Sequence, residues 1–141
     1  MASNVRSVES SANPGTIWRI WSDVSPWPTW NTNVSAMSLN GPLATGATGT
    51  MTNKAGRTHS VAITEVQPGS SFRLETTPIP MTPFAFDCTV APREGGGSVI
   101  SQGVTMKGPL GGLLTRVMGP QVAESFLPLL RGLAARAEAG S

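Results

Sequence analysis

Residues 110–137 read LGGLLTRVMGPQVAESFLPLLRGLAARA, and this stretch decides the fold. Apolar side chains recur along it at the spacing of one helix face, from Leu113 to Ala137, which predicts a long amphipathic helix. Gly119-Pro120 is expected to break or kink this helix, and Pro128 to bend it again, because a proline inside a helix removes one backbone hydrogen bond. The apolar face of such a helix has to be buried against a second layer of the chain.

That second layer is predicted from the residues before the helix. Short segments with alternating apolar and polar side chains are separated by turns at about ten-residue spacing, which predicts an antiparallel sheet. Seven strands are expected, around Val5–Ser10, Ser35–Leu39, Gly49–Lys54, Thr58–Val66, Phe72–Thr76, Phe84–Val90 and Ile100–Met106.

Two short helical segments are predicted between the first and second strands. Asn13 can cap the first helix and Pro14 suits its first turn. Pro26 and Pro28 end it, and residues 27–31 (WPTWN) form a second short helix or turn. The fold class is therefore α+β: a curved antiparallel sheet of about seven strands wrapped around a long C-terminal helix, with two short helices after strand 1. A sheet wrapped on one helix leaves space for a cavity between them.

Composition narrows the class of protein. The chain has 141 residues and is expected to form one domain over residues 1–141. Charged residues make up 13%, the net charge is +2, and the ten basic residues are scattered, so we expect no nucleic-acid partner. No apolar run is long enough for a membrane span, and the first residues lack the apolar segment of a signal peptide. We therefore expect a cytoplasmic protein; the excess of Arg over Lys suggests a bacterial one.

Metal and disulfide chemistry has little support. The single cysteine, Cys88, excludes an internal disulfide, and with only one histidine, His59, a His/Cys-rich zinc site is not available. We expect no cofactor and no metal. Gly-x-Ser-x-Gly and His-Glu-x-x-His are absent, so these motifs give no support to a hydrolase.

The chain resembles the SRPBCC (START/Bet v 1-like) superfamily, in its bacterial polyketide cyclase/dehydrase-like branch. The resemblance covers nearly the whole chain and rests on an ordered set of short segments: Asn13-Pro14 with Ile17-Trp18, residues 27–31, Gly41-Pro42-Leu43 before Gly46, residues 65–72 (EVQPGSSF) and residues 127–133 (LPLLRGL). It implies a helix-grip fold with an internal cavity for a hydrophobic small molecule. Relatives include carriers, receptors, and aromatases or cyclases that act on polyketides.

Apolar candidates for the cavity lining are aromatic residues and methionines. The resemblance places Trp27 and Trp30 at the cavity mouth, where an aromatic pair can stack on a ligand. Flexible thioethers suit a pocket that adapts to a bulky apolar ligand. The predicted apolar lining consists of Trp27, Trp30, Met37, Met51, Phe84, Phe86 and Met106. The alternative for each is ordinary core packing.

Polar candidates are few. His59 lies on the same predicted face as Val61 and Ile63, where an imidazole can act as a general acid or base near pH 7. Asn53 and Gln102 are amides on the apolar face and can orient a ligand carbonyl or hydroxyl. The alternatives are a solvated histidine and amides satisfied by water. Arg73, Glu75 and Asp87 are expected on the outer face, unless a bulge inverts the strand.

These residues support three hypotheses. The first is a hydrophobic-ligand protein that works as a polyketide cyclase, aromatase or dehydratase, with His59 as the catalytic residue. The second is a non-catalytic carrier of a lipid or metabolite. The third is a protein-interaction module, which requires an exposed apolar patch. Whether the chain is an enzyme stays open, and so does the choice between a monomer and a homodimer.

Overall fold

The computed structural model describes residues 4–79 and 81–140. It contains one sheet whose seven strands are all antiparallel to their neighbours. The strands are β1 (Val5–Ser10), β2 (Val34–Leu39), β3 (Thr48–Asn53), β4 (Thr58–Gln67), β5 (Ser71–Ile79), β6 (Thr82–Pro92) and β7 (Ser98–Met106). Their order across the sheet is β1-β7-β6-β5-β4-β3-β2, so β1 and β2 form the two open edges. The predicted seven-stranded sheet is confirmed.

Among the described residues, three α-helices and a short 3-10 turn accompany the sheet. Helix α1 (Pro14–Ser22) begins where predicted, with the Asn13 side chain accepting a hydrogen bond from the Thr16 backbone at 2.8 Å. The 3-10 turn covers Trp27–Thr29, and α2 (Gly111–Glu124) and α3 (Phe126–Gly140) form the long C-terminal helix in two parts. No helix within the described ranges is both long enough and apolar enough to cross a membrane.

The position of the break in the C-terminal helix differs from the prediction. Helix α2 continues through Gly119 and Pro120 and ends at Glu124, and α3 begins at Phe126. Pro128 explains this position, because it cannot donate the helical hydrogen bond to the Glu124 carbonyl. In the first turn of α3 the missing N–H carries no penalty, since those donors have no partner within a helix. The two prolines therefore produce one break rather than two.

The core lies between the inner face of the sheet and the C-terminal helix. Phe126, Leu130 and Leu133 project from α3 and are almost completely buried. On the sheet they meet the alternating buried residues of β5, β6 and β7, which include Phe72, Leu74, Phe84, Cys88, Val90, Ile100 and Val104. This contact between helix and sheet is the one that the helix-grip prediction requires.

The outer face of the sheet carries the charged residues that alternate with this core. Arg73 and Asp87 stand opposite each other in β5 and β6, and the Arg73 Nε donates to Asp87 Oδ1 at 2.7 Å. Glu65 accepts from another nitrogen of the same guanidinium at 2.8 Å. The bond to Asp87 and its charge raise the pKa of Arg73. These residues face solvent, as alternation predicts, and take no part in the interior.

Candidate ligand cavity

A cavity of about 90 Å³ lies between the inner face of the sheet, the 3-10 turn and α3. On the sheet side it is lined by residues of β3, β5, β6 and β7: Met51, Phe72, Leu74, Phe86, Cys88 and Gln102. Pairing explains why these residues meet, because Phe72 stands opposite Cys88 and Cys88 opposite Gln102, which puts all three side chains on one face.

The opposite wall is formed by tryptophans and by α3. Trp21, Trp27 and Trp30 line it together with Phe126 and Leu129. The rings of Trp21 and Phe72 pack edge to face with centroids 5.2 Å apart, so the tryptophan cluster is anchored to the sheet. Such aromatic pairs stabilise a core beyond the area that they bury.

None of the residues that line the cavity is charged, and only three of them carry side-chain amides. Asn31 accepts from the Asn33 backbone at 2.9 Å, and Asn33 donates to the Ser125 hydroxyl at 3.1 Å. The Gln102 amide has no hydrogen bond to the described part of the chain and lies on the floor of the cavity. A cavity with this lining suits an uncharged, mostly apolar group with a few polar contacts.

Cys88 is a neutral part of the floor. Burial, with a smaller contribution from the charge of Asp87, raises the pKa of its thiol far above the ordinary value. The thiolate is the reactive form of cysteine, so this side chain behaves as a small apolar residue rather than as a nucleophile.

Trp27, which begins the 3-10 turn, and Trp30, which follows it, are held differently. Trp27 donates its indole N–H to the Trp21 carbonyl at 3.2 Å. Trp30 is only 5% exposed, yet no acceptor in the described chain reaches its Nε1. Its backbone packs against α3, where a side chain on Gly132 would collide with the Trp30 carbonyl. Trp30 is therefore fixed at its backbone, while its ring is held by packing alone.

Five of the ten predicted site residues meet at the cavity: Trp27, Trp30, Met51, Phe86 and Gln102. Three more, Met37, Phe84 and Met106, are buried in the same core but outside the cavity lining. That these three residues contact a ligand stays a prediction, and it requires a wider cavity than the one in this structure.

His59 and Asn53 lie at the margin of this region. His59 is half-buried and stands opposite Met51 in the β3–β4 pair, so it adjoins a lining residue without lining the cavity itself. Asn53 lies at the end of β3, where its Oδ1 accepts from the backbones of Ala55 and Arg57, both at 3.0 Å. That bonding gives Asn53 a role in the β3–β4 turn, and its proposed contact with a ligand has to be tested separately.

Some lining residues were not predicted. Phe72, Leu74 and Cys88 share the alternation that indicated Phe86, so the sequence contained a signal for them. For Trp21, Phe126 and Leu129, the sequence pattern indicates only that they are buried on a helix. Which core positions border a cavity depends on how the helix and the sheet are spaced.

The sequence matches the model of the family described as polyketide cyclase / dehydrase and lipid transport, over residues 1–138. The chain therefore belongs to this family, within the START/Bet v 1-like (SRPBCC) superfamily. No curated protein matches the sequence.

Solved structures share the fold. A solution structure from Thermobifida fusca is 25% identical, covers 96% of this chain and 92% of its own, and has a TM-score of 0.71. Ara h 8.0201 is 13% identical, with 96% of both chains covered and a TM-score of 0.74. The di-domain ARO/CYC StfQ from the steffimycin biosynthetic pathway is 14% identical, with 97% of this chain and 51% of StfQ covered and a TM-score of 0.75.

Proposed function

We propose that this protein binds a hydrophobic small molecule between the sheet and the C-terminal helix. The observation that carries the proposal is an uncharged, mostly apolar cavity in which the half-buried Gln102 amide has no hydrogen-bond partner in the described chain. A ligand carbonyl or hydroxyl can accept a hydrogen bond from this amide. Family membership supports the same conclusion.

The cavity in this form is too small for a polyketide. About 90 Å³ compares with about 300–1,000 Å³ for typical small-molecule sites. Binding therefore requires the walls to move. The wall formed by the 3-10 turn is the best suited to do so, because it is short and one of its tryptophans lacks a side-chain hydrogen bond.

The enzymatic version of this function is a cyclase, aromatase or dehydratase. A closed apolar cavity can hold a flexible chain in a reactive conformation, which speeds ring closure by proximity. In this version Gln102 polarises a carbonyl and His59 moves a proton. His59 stands opposite Met51, so a ligand that displaces the Met51 side chain would reach the imidazole.

A non-catalytic carrier needs the same cavity without the proton transfer. The neutral Cys88 and the absence of charge from the lining favour this alternative, because few groups remain for acid–base chemistry. The two versions differ in a single observable, which is turnover of the bound molecule. A cytoplasmic location and a monomeric or homodimeric state belong to this proposal in either version.

The test is native mass spectrometry of freshly purified protein, followed by denaturing extraction and identification of any bound molecule. One apolar metabolite per chain supports the proposal. Turnover of that molecule, with loss of activity in His59→Ala and in Gln102→Ala, supports the enzyme. Retained activity in His59→Ala contradicts the catalytic assignment. Binding without turnover supports the carrier.

One observation favours the interaction module as a further candidate. Leu110, Leu113 and Val117 are more than half exposed on and just before α2, at helical spacing, and Met81 is exposed at the β5–β6 turn. A partner protein that binds there would lose affinity in Leu113→Ser with Val117→Ser. Ligand binding in the cavity would be unchanged.

A further inference from the structure

A second space lies directly behind Trp30. We call it the outer groove; it runs between α1, the segment before the 3-10 turn and α3, and it has a volume of about 390 Å³. Its lining includes the charged residues Arg19, Asp23 and Arg136, together with Pro26 and Trp30. Trp30 lines both this groove and the cavity, so this residue lies between the two spaces.

The charge of the outer groove differs from that of the cavity. Arg19 from α1 and Arg136 from α3 both line it, and Asp23 is its single carboxylate. No carboxylate of the described residues is within ion-pair distance of either arginine, whereas Arg6, Arg73 and Arg93 each have an acidic partner. Within the described residues, the only side-chain hydrogen bond of Arg19 is the one it donates to the Thr16 hydroxyl at 3.3 Å. Two guanidinium groups are thus available to an anion.

No side-chain hydrogen bond holds the Trp30 ring in place. Its indole N–H has no acceptor to lose, and the close packing at Gly132 holds the backbone rather than the ring. Trp27 is the contrast, because rotation of its ring would break the bond to the Trp21 carbonyl. A shift of the Trp30 ring would join the two spaces. The groove's 390 Å³ then brings the site into the size range of small-molecule pockets.

We infer that the ligand is an amphiphile whose apolar body lies in the cavity and whose carboxylate lies in the outer groove, bound by Arg19 and Arg136, with Trp30 as the movable wall. This inference rests on the proposed function and adds to it the ligand's charge and orientation. An uncharged lining excludes the anion from the cavity, because an unpaired buried charge is strongly unfavourable. Arginine is the side chain whose geometry best matches a carboxylate.

The test compares two probes with the same chain and different head groups, dodecanoate and 1-dodecanol, by titration calorimetry at pH 7.5. A hydrogen-bonded ion pair predicts that dodecanoate binds about tenfold more tightly than 1-dodecanol. The double variant Arg19→Gln, Arg136→Gln should lose that tenfold preference and keep its affinity for 1-dodecanol. Arg131→Gln, an exposed position of α3 outside the groove, is the matched control and should behave as the wild type.

Two single variants test the remaining parts. Asp23→Asn removes the only carboxylate of the groove and should tighten dodecanoate binding about two- to threefold. Trp30→Phe replaces the indole between the two spaces with a smaller ring. Dodecanoate should therefore associate several-fold faster in stopped-flow measurements. An unchanged or slower association rate would show that Trp30 is not the wall through which the ligand passes.

The outcomes separate the two claims. If the wild type binds neither probe, the hydrophobic-ligand function itself is contradicted. If it binds both probes equally, or if the double arginine variant keeps its preference for dodecanoate, the cavity function stands and the carboxylate site is overturned.

Discussion

Trp27 donates its indole N–H to the backbone carbonyl of Trp21 over 3.2 Å, and this bond ties the 3-10 turn to the end of α1. Both rings are almost fully buried and line the cavity. Trp30, three residues further along, has no such bond. One of these two tryptophans is therefore held by a side-chain hydrogen bond, and the other by packing alone.

The first prediction follows from this difference. Trp27→Phe removes a hydrogen bond and part of the buried ring, whereas Trp30→Phe removes only the ring area. We expect Trp27→Phe to lower the free energy of unfolding by about 1 kcal/mol more than Trp30→Phe does. Urea unfolding of the two variants measures the difference. An equal loss in both would mean that the Trp27 bond contributes nothing to stability.

A second prediction concerns the contact between α3 and the turn. A β carbon at Gly132 would collide with the Trp30 carbonyl, so Gly132→Ala should lower stability by about 1–3 kcal/mol. Gly112, in the first turn of α2, has open space around it. Gly112→Ala should therefore raise stability by about 0.5–1 kcal/mol, as expected for a helix. A neutral Gly132→Ala would contradict the close approach.

The third prediction contrasts two amides. Gln102 is half-buried and has no partner in the described chain, so Gln102→Leu should raise the free energy of unfolding by no more than about 1 kcal/mol in the absence of ligand. Asn53 accepts two backbone bonds, and Asn53→Leu should lower it by about 2 kcal/mol. The same Gln102→Leu protein should bind the ketone 2-dodecanone about fivefold more weakly. Higher stability without weaker binding would remove Gln102 from the ligand site.

The fourth prediction is a pH dependence set by Cys88. Its pKa is raised in the folded protein by burial, so the folded state keeps the thiol proton after the unfolded chain has lost it. The stabilisation is complete below the unfolded pKa of about 9 and is lost as the pH rises above that value. Stability should fall by up to about 1.4 kcal/mol per pH unit there, measured by urea unfolding at pH 8.5, 9.5 and 10. Cys88→Ala should lack this component, and an identical slope in both proteins would contradict it.

The strands and their faces were predictable because the signals are local. Alternation along residues 84–90 places Phe84, Phe86 and Cys88 on one side, and their pairing with β5 and β7 agrees. Asn13 and Pro14 begin a helix through contacts with the next few residues. Predictions of this kind need only the backbone period and the chemistry of the caps.

The cavity was less predictable because it depends on distances between elements. Met37 and Met51 share a face in paired strands, yet only Met51 reaches the cavity. Asn53 lies on the same face of β3 as Met51, but its side chain accepts backbone hydrogen bonds within the β3–β4 turn. The position of the break before α3 depends on which of two prolines the helix tolerates. Pro128 determines it, because this residue cannot donate a hydrogen bond to the Glu124 carbonyl four residues earlier. None of these outcomes is set by residue type alone.

The most direct test of the central claim is a nuclear magnetic resonance titration with 1-dodecanol, which follows the four indole N–H signals. Trp21, Trp27 and Trp30 line the cavity, whereas Trp18 lies outside the lining. If the protein binds apolar molecules between the sheet and the helix, the first three signals shift and saturate together, and Trp18 moves least. No shift in any of the three, or shifts confined to the exposed residues of α2, would contradict binding in the cavity.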